Sequence, residues 1–118
     1  MIDSAEKPMS AILKEMALTT LIGPESEPSS EAAGAALLLS HAAWQRANGD
    51  HITLKMYRPV LAAMQRAKPD FWKELKSTEP EKLIAALVTY KRENYPSDKR
   101  KVVACGTYDN KVRVEWTD

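Results

Sequence analysis

The chain of 118 residues contains one cysteine and four glycines, and both shortages exclude classes of protein. A single cysteine cannot form an internal disulfide, so we expect a cytoplasmic protein and not a disulfide-stapled secreted domain. The four glycines are isolated from one another along the chain. This excludes the glycine-rich loops that hold phosphate groups and dinucleotides.

Long apolar runs are missing as well. The longest weakly polar run covers residues 32–44, which is too short to span a bilayer, and it contains Ser40 and His41. The first ten residues, MIDSAEKPMS, carry acidic side chains where a secretory signal has basic residues followed by an apolar run. We therefore expect neither a membrane segment nor a signal peptide.

The sequence also has few of the residues that perform catalysis or bind metals. His41 and His51 are its two histidines, and no CxxC, HxxxH or GxSxG motif accompanies them. We expect no enzyme activity, no metal and no cofactor. His41 is predicted to be a core or interface imidazole with one hydrogen-bonded nitrogen, and a small enzyme or ligand pocket near His41 and Trp44 is a third alternative for the function.

Charge is unevenly distributed, although the net charge is only +1. Residues 1–50 contain three basic and seven acidic side chains, whereas residues 51–118 contain fourteen basic and nine acidic ones. Attraction between the two halves of the fold is the simplest interpretation. A basic half that faces a partner and a head-to-tail dimer are the alternatives.

Residues 1–22 predict an amphipathic helical arm, because apolar residues recur there at helical spacing. Residues 23–30, GPESEPSS, have the composition of a linker, and residues 31–118 are predicted to form a single domain. The arm can dock on its own domain, on a second copy or on another protein. If it is an interface, we expect a folded body after its deletion. Its predicted interface residues are Met9, Ile12, Leu13 and Met16.

A central helix is predicted at about residues 30–48. A hydroxyl at Ser29 or Ser30 can cap its first turn, its middle is apolar on nearly every side, and Gly49 suits the position after its end. Residues 53–67 are also helical in pattern, with an apolar stripe that includes Val60. Pro59 predicts a kink in this helix or two short pieces.

Two more helices are predicted after residue 67. A short one follows Lys68, Pro69 and Asp70 and turns Phe71, Trp72 and Leu75 inward. The second, which ends near Asn94, begins with Thr78, Pro80 and Glu81, the pattern of a capping box.

The last stretch, residues 100–117, changes to an alternation of period two, which predicts an antiparallel β-hairpin with a turn at Asp109-Asn110. The register pairs Cys105 with Val114 and Val103 with Trp116, and it collects the apolar side chains on one face. Cys105 is therefore predicted to be a buried structural thiol. If the hairpin is not fully covered, its predicted interface residues are Val112, Val114 and Trp116.

These patterns predict a mainly α (α+β) fold, with four or five helices around a central helix and a C-terminal hairpin. The function that we expect is a non-enzymatic protein-interaction or regulatory domain, whose partner is another protein or a second copy in a homodimer. The alternative is a winged-helix-like nucleic-acid-binding protein, in which Lys68–Lys76 and the helix from Pro80 form the helix-turn-helix and the hairpin forms the wing. Its phosphate contacts would come from Lys91, Arg92, Lys99, Arg100, Lys101 and Arg113.

Overall fold

The structure, a computed structural model, describes residues 9–22, 29–50, 52–75, 79–108 and 111–117, and in the two strands it describes the backbone. Four α-helices lie in this part of the chain: α1 (Met9–Met16), α2 (Ser30–Ala47), α3 (Thr53–Ala67) and α4 (Pro80–Asn94). A π-helical segment, Ala17–Ile22, continues α1, and a 3₁₀ turn, Phe71–Glu74, lies between α3 and α4.

Helix α2 is the centre of the fold, as predicted. The hydroxyl of Ser29 accepts a hydrogen bond from the backbone N–H of Ala32 at 3.2 Å and so caps the first turn. Gly49, just past the end, has a φ of 103°, a left-handed conformation that glycine adopts at no steric cost. Helix α2 is buried along most of its length and contacts each of the other three helices, directly or through the segments beside them.

Helix α3 is continuous through Pro59, so of the two predicted alternatives, a kink or two short pieces, the second is wrong. Pro59 cannot donate the backbone hydrogen bond that the carbonyl of Lys55 would accept. Both residues are exposed, so water can reach that carbonyl and lower the cost. Leu54 and Leu61 turn toward the core, and Val60, predicted on the same stripe, is 45% exposed.

The 3₁₀ turn stands where a short α-helix was predicted. It covers only four residues, and Trp72 and Leu75 are buried as expected. Glu74 holds the 3₁₀ turn in position, because its carboxylate accepts hydrogen bonds from the backbone N–H (2.8 Å) and the hydroxyl (2.6 Å) of Ser29. The turn is therefore tied to the start of α2, and the hydrogen bonds from the Ser29 hydroxyl and then its N–H hold the pKa of Glu74 below its ordinary value.

Helix α4 begins differently from the prediction. Its N-cap is Glu79, which makes no side-chain capping bond, and Pro80 occupies the first helical position. Thr78, predicted as the cap, lies outside the described residues. Glu81 forms ion pairs with Arg46 at 3.0 Å and Arg58 at 3.4 Å, and so joins α4 to α2 and α3 where a capping box was expected.

Two strands follow, β1 (Lys101–Tyr108) and β2 (Lys111–Thr117), which pair in antiparallel fashion. Cys105 lies opposite Val114, but Val102 and not Val103 lies opposite Trp116. The register shifts between Val102 and Ala104, which is the geometry of a β-bulge, so Val103 is an extra residue in its strand. Strand β1 lies against α2, and β2 lies against α1.

The mainly helical prediction is confirmed by the four helices of the described segments. The Cα radius of gyration is 13.3 Å, the value expected of a compact domain of this length. One core joins α1, the π-helical segment, α2 and the inner sides of α3 and α4, with Trp72 and Leu75 at its edge.

Candidate protein-interaction surface

The outer side of α3 exposes a row of large apolar side chains. Ile52, which precedes the helix, and Met56 and Val60 on it are 65%, 67% and 45% exposed. The spacing of four residues places them in one line along the helix. We call this surface the α3 outer face and define it by its exposed apolar residues, which are Ile52, Met56, Pro59, Val60, Ala63 and Ala67.

Contacts on the opposite side fix the rotation of α3. Leu54 and Leu61 are buried in the core, and the hydroxyl of Tyr57 forms a hydrogen bond with Nδ1 of the buried His41. Met64 lies so close to α2 that a Cβ added at Gly34 would come within 2.9 Å of its terminal methyl carbon. A helix held by four side chains on one side cannot turn its outer row inward.

The start of α3 is fixed by Asp50. Its carboxylate accepts a hydrogen bond from the backbone N–H of Ile52 at 2.9 Å and lies 3.4 Å from the hydroxyl of Thr53. The N–H of Asp50 in turn donates to the carbonyl of Gln45 at 2.8 Å, close to the end of α2. The first residue of the α3 outer face is therefore held in place by the α2–α3 connection.

The charged side chains of α3 itself are all positive, and the carboxylates beside them belong to neighbouring segments: Asp50 accepts from the N–H of Ile52, and Glu81 pairs with Arg58. Helix α3 contains Lys55, Arg58 and Arg66 and no acidic residue. Arg58 pairs with Glu81, whereas Lys55 and Arg66 form no ion pair with any side chain that the structure describes. At 100° and 1.5 Å per residue, Lys55 and Arg66 lie on the same flank of the outer row, about 16 Å apart along the helix axis, and the other flank turns into the core at Thr53.

A shallow cleft of about 320 Å³ lies beside α3, and the flank that carries Lys55 and Arg66 separates it from the α3 outer face. Leu54, Leu61 and Trp72 form its apolar wall, and Arg58 and Glu81 stand among its polar residues. The third alternative placed a pocket near His41 and Trp44. Both side chains are buried in the core, and neither lines this cleft.

The predicted interface on the N-terminal arm lies elsewhere. Ile12, Leu13 and Met16 are fully buried in the core that α1 shares with the rest of the chain. Met9 lies on α1, outside the side chains that the structure describes. In this position the three buried residues can contact a partner only if α1 first leaves the core.

The basic residues of the nucleic-acid alternative are divided between two environments. Lys91 is 1% exposed and donates a hydrogen bond to the carbonyl of Asp98 at 2.8 Å, with Nζ 5.0 Å from the centre of the Trp44 ring. Burial lowers the pKa of the Lys91 ammonium. A cation in this position supports the protein interior and cannot reach a phosphate group.

Arg100 is buried as well. Its guanidinium and its backbone N–H both donate to the carboxylate of Asp98, with the closest approach at 2.7 Å. Burial of Asp98 acts to raise the pKa of this carboxyl, but the hydrogen bonds from Arg100 outweigh burial and keep the pKa below its ordinary value. The indole N–H of Trp44 donates to the carbonyl of Arg100 at 2.7 Å and so joins the loop between α4 and β1 to α2.

The remaining predicted residues are exposed or lie on the strands. Arg92 and Lys99 are exposed. The other predicted residues lie on the two strands, where the structure describes only the backbone, so the predictions about their side chains stay untested. These residues are Lys101, Cys105, Val112, Arg113, Val114 and Trp116. The first helix of the proposed helix-turn-helix is replaced by the 3₁₀ turn Phe71–Glu74. Two of the six predicted phosphate-contacting residues, Lys91 and Arg100, are therefore buried, and the first helix of the predicted helix-turn-helix does not form as an α-helix.

His41 has the role that the sequence predicts, since it is buried and hydrogen-bonded to Tyr57. His51 lies outside the described residues. Among the side chains that the structure describes, no group of three or more His, Cys, Asp and Glu is arranged to hold a metal ion. Within the same residues, no helix combines the length and the apolar character needed to cross a bilayer.

The sequence patterns above did not predict the α3 outer face, although the sequence carries a signal for it. Residues 52–67 place apolar side chains on two sides of one helix, with Leu54 and Leu61 on one and Ile52 and Met56 on the other. A single core can cover only one of the two sides. The sequence does not show which side is covered.

No family model, curated protein or solved structure matches this chain.

Proposed function

We propose that this chain is a non-enzymatic protein-interaction domain whose binding surface is the α3 outer face. The observation that carries the proposal is the exposed row of Ile52, Met56 and Val60 on a helix whose other side packs on the core through Leu54 and Leu61. Monomeric proteins rarely expose continuous apolar patches larger than a few hundred Å², and such patches commonly mark interaction sites. In this proposal the C-terminal hairpin braces α1 and α2 and does not form the binding surface.

Met56 supports the proposal through its chemistry. It is the most exposed of the three large side chains, and its flexible thioether adapts to the shape of an apolar partner. Around it, the rigid residues Pro59 and Val60 lose little conformational entropy when a partner covers them. A row of this kind resembles the apolar anchors by which one helix recognises another.

Capture of partners from the native cell tests the proposal with three forms of the full chain. Met56→Glu places a charge in the middle of the outer face, and Ala86→Glu places the same charge at an exposed position of α4. We expect the native chain and Ala86→Glu to retain the same proteins and Met56→Glu to lose them. Both variants are first checked for native helix content by circular dichroism.

The proposal fails if Met56→Glu retains every protein that the native chain retains. It also fails if Ala86→Glu loses them equally, because the effect would then be one of added charge and not of the α3 outer face.

A further inference from the structure

The partner of the α3 outer face has a definite chemistry, and we infer that it is an acidic amphipathic helix of another protein. The inference rests on the proposed function and adds the class of the partner. Two observations carry it: the apolar residues form a single row, and the exposed charged side chains that α3 itself places beside the row are all positive.

The single row favours a helix as the occupant. Ile52, Met56 and Val60 follow the i, i+4, i+8 line, which is the ridge that packs into the groove of a second helix. A membrane surface would be a poorer match. Helices that lie on lipid have a broad apolar face, often with aromatic anchors and with cations on both of its edges. Here the described exposed cations stand on one flank, and the other flank turns into the core at Thr53.

The flanking charge favours an acidic partner. Lys55 and Arg66 are exposed and pair with no described side chain, so their charges face solvent beside the apolar row. Glutamate or aspartate on one edge of a partner helix would lie against them. A second copy of the chain fits less well, because two α3 helices would bring cations toward cations with no acidic residue on either helix.

Binding of probe peptides to the full chain tests this inference. The probe is a stapled helix of about 18 residues, since shorter isolated helices are marginal in water. One face carries leucine at i, i+4 and i+8, and the flanks carry glutamate. A matched probe carries lysine at the same flank positions. Fluorescence anisotropy at low salt measures the affinity of each probe.

We expect the acidic probe to bind at least about tenfold more tightly than the basic probe. The double variant Lys55→Glu, Arg66→Glu should weaken the acidic probe by roughly tenfold, the size expected for the loss of two exposed ion pairs with added repulsion. Arg92→Glu, Lys99→Glu is the control with the same net charge, because both residues are exposed and lie on other parts of the fold. The control should leave the affinity within about twofold.

Three outcomes would overturn the inference. The first is equal binding of the two probes. The second is no binding of the acidic probe. The third is binding of the chain to vesicles of phosphatidylserine and phosphatidylcholine that Met56→Glu abolishes, which would make the occupant a lipid surface. If the acidic probe fails while Met56→Glu still loses proteins in the capture experiment, the partner class is wrong and the proposed function stands.

Discussion

The carboxylate of Glu15 on α1 accepts a hydrogen bond from the hydroxyl of Tyr90 on α4 at 2.6 Å, across 75 residues of sequence. The hydroxyl of Tyr95 donates to the same carboxylate oxygen at 2.7 Å. Below these bonds, Leu13 and Met16 are fully buried. Helix α1 is thus joined to the rest of the domain by polar and apolar contacts together.

The burial of α1 leads to a prediction about stability. Leu13→Ala should lower the free energy of unfolding by about 2–4 kcal/mol, because it removes fully buried methyl groups and leaves a cavity. Met56→Ala, the exposed control, should change it by less than about 0.5 kcal/mol. Urea denaturation followed by circular dichroism measures both. A Leu13→Ala change as small as that of the control would mean that α1 is detached from the core.

The Glu15–Tyr90 bond leads to a prediction about alkaline pH. Burial, and then the hydrogen bond to Glu15, raise the pKa of Tyr90 from 10.0 to about 12. The folded protein therefore keeps a proton that the unfolded chain loses. The stability due to this group is complete below pH 10 and is lost as the pH rises from 10 to about 12.

Absorbance at the tyrosinate band measures this titration. Tyr90→Phe should remove a phenol that titrates near pH 12, and Glu15→Gln should lower the pKa of Tyr90 by removing the nearby negative charge. A titration of Tyr90 near its ordinary pKa, unchanged by Glu15→Gln, would contradict the hydrogen bond.

The Asp98–Arg100 pair supports the loop between α4 and β1. Asp98→Ala leaves the buried guanidinium of Arg100 without its carboxylate, and we expect it to lower the free energy of unfolding by about 3–5 kcal/mol. Asp70→Ala breaks the exposed pair with Lys73 and should cost less than about 0.5 kcal/mol. Chemical denaturation at neutral pH compares the two, and equal effects would argue against a buried pair.

Acid should weaken the same contact. The pKa of Asp98 is lower in the folded protein than its ordinary value of 3.8, so its stabilising effect is present above that value. The effect is lost as the pH falls through the folded pKa. The acid-induced loss of stability should therefore be smaller in Asp98→Ala than in the native chain.

Replacement of Pro59 is expected to stabilise the protein, whereas the substitutions above destabilise it. Pro59 stands inside α3 on the exposed side, so it costs a backbone hydrogen bond and has no packing in the core. Pro59→Ala should raise the free energy of unfolding by about 2 kcal/mol, less than the full helix penalty because proline also restricts the unfolded chain. Thermal unfolding followed by circular dichroism checks it. A lower melting temperature would show that Pro59 makes a stabilising contact.

Local signals in the sequence predicted the helices well. Ser29 and Gly49 set the limits of α2 because a cap and a left-handed residue act within one turn of the helix end. The buried side of α4, which includes Leu83 and Leu87, likewise follows the helical spacing of apolar residues in the sequence. These features depend on neighbours in sequence, so pattern and propensity are enough to find them.

Contacts between residues far apart in the chain could not be predicted from the sequence. The bond from Ser29 to Glu74 spans 45 residues, and that from Trp44 to Arg100 spans 56. Without these contacts, Arg100 and Lys91 look like surface cations, and the two apolar sides of α3 look equivalent. The candidate site depends on which side of α3 packs on α2, and only the tertiary fold decides that.

Methyl NMR of the chain labelled at the methionine ε-carbons tests the central claim most directly. Met56 stands on the α3 outer face, whereas Met16 is fully buried and Met64 packs toward Gly34 on the inner side of α3. During titration with the acidic helical probe, we predict that the Met56 methyl signal shifts progressively and that the Met16 and Met64 signals stay in place. A Met56 signal that does not move at saturating probe would contradict the assignment of the α3 outer face as the binding surface.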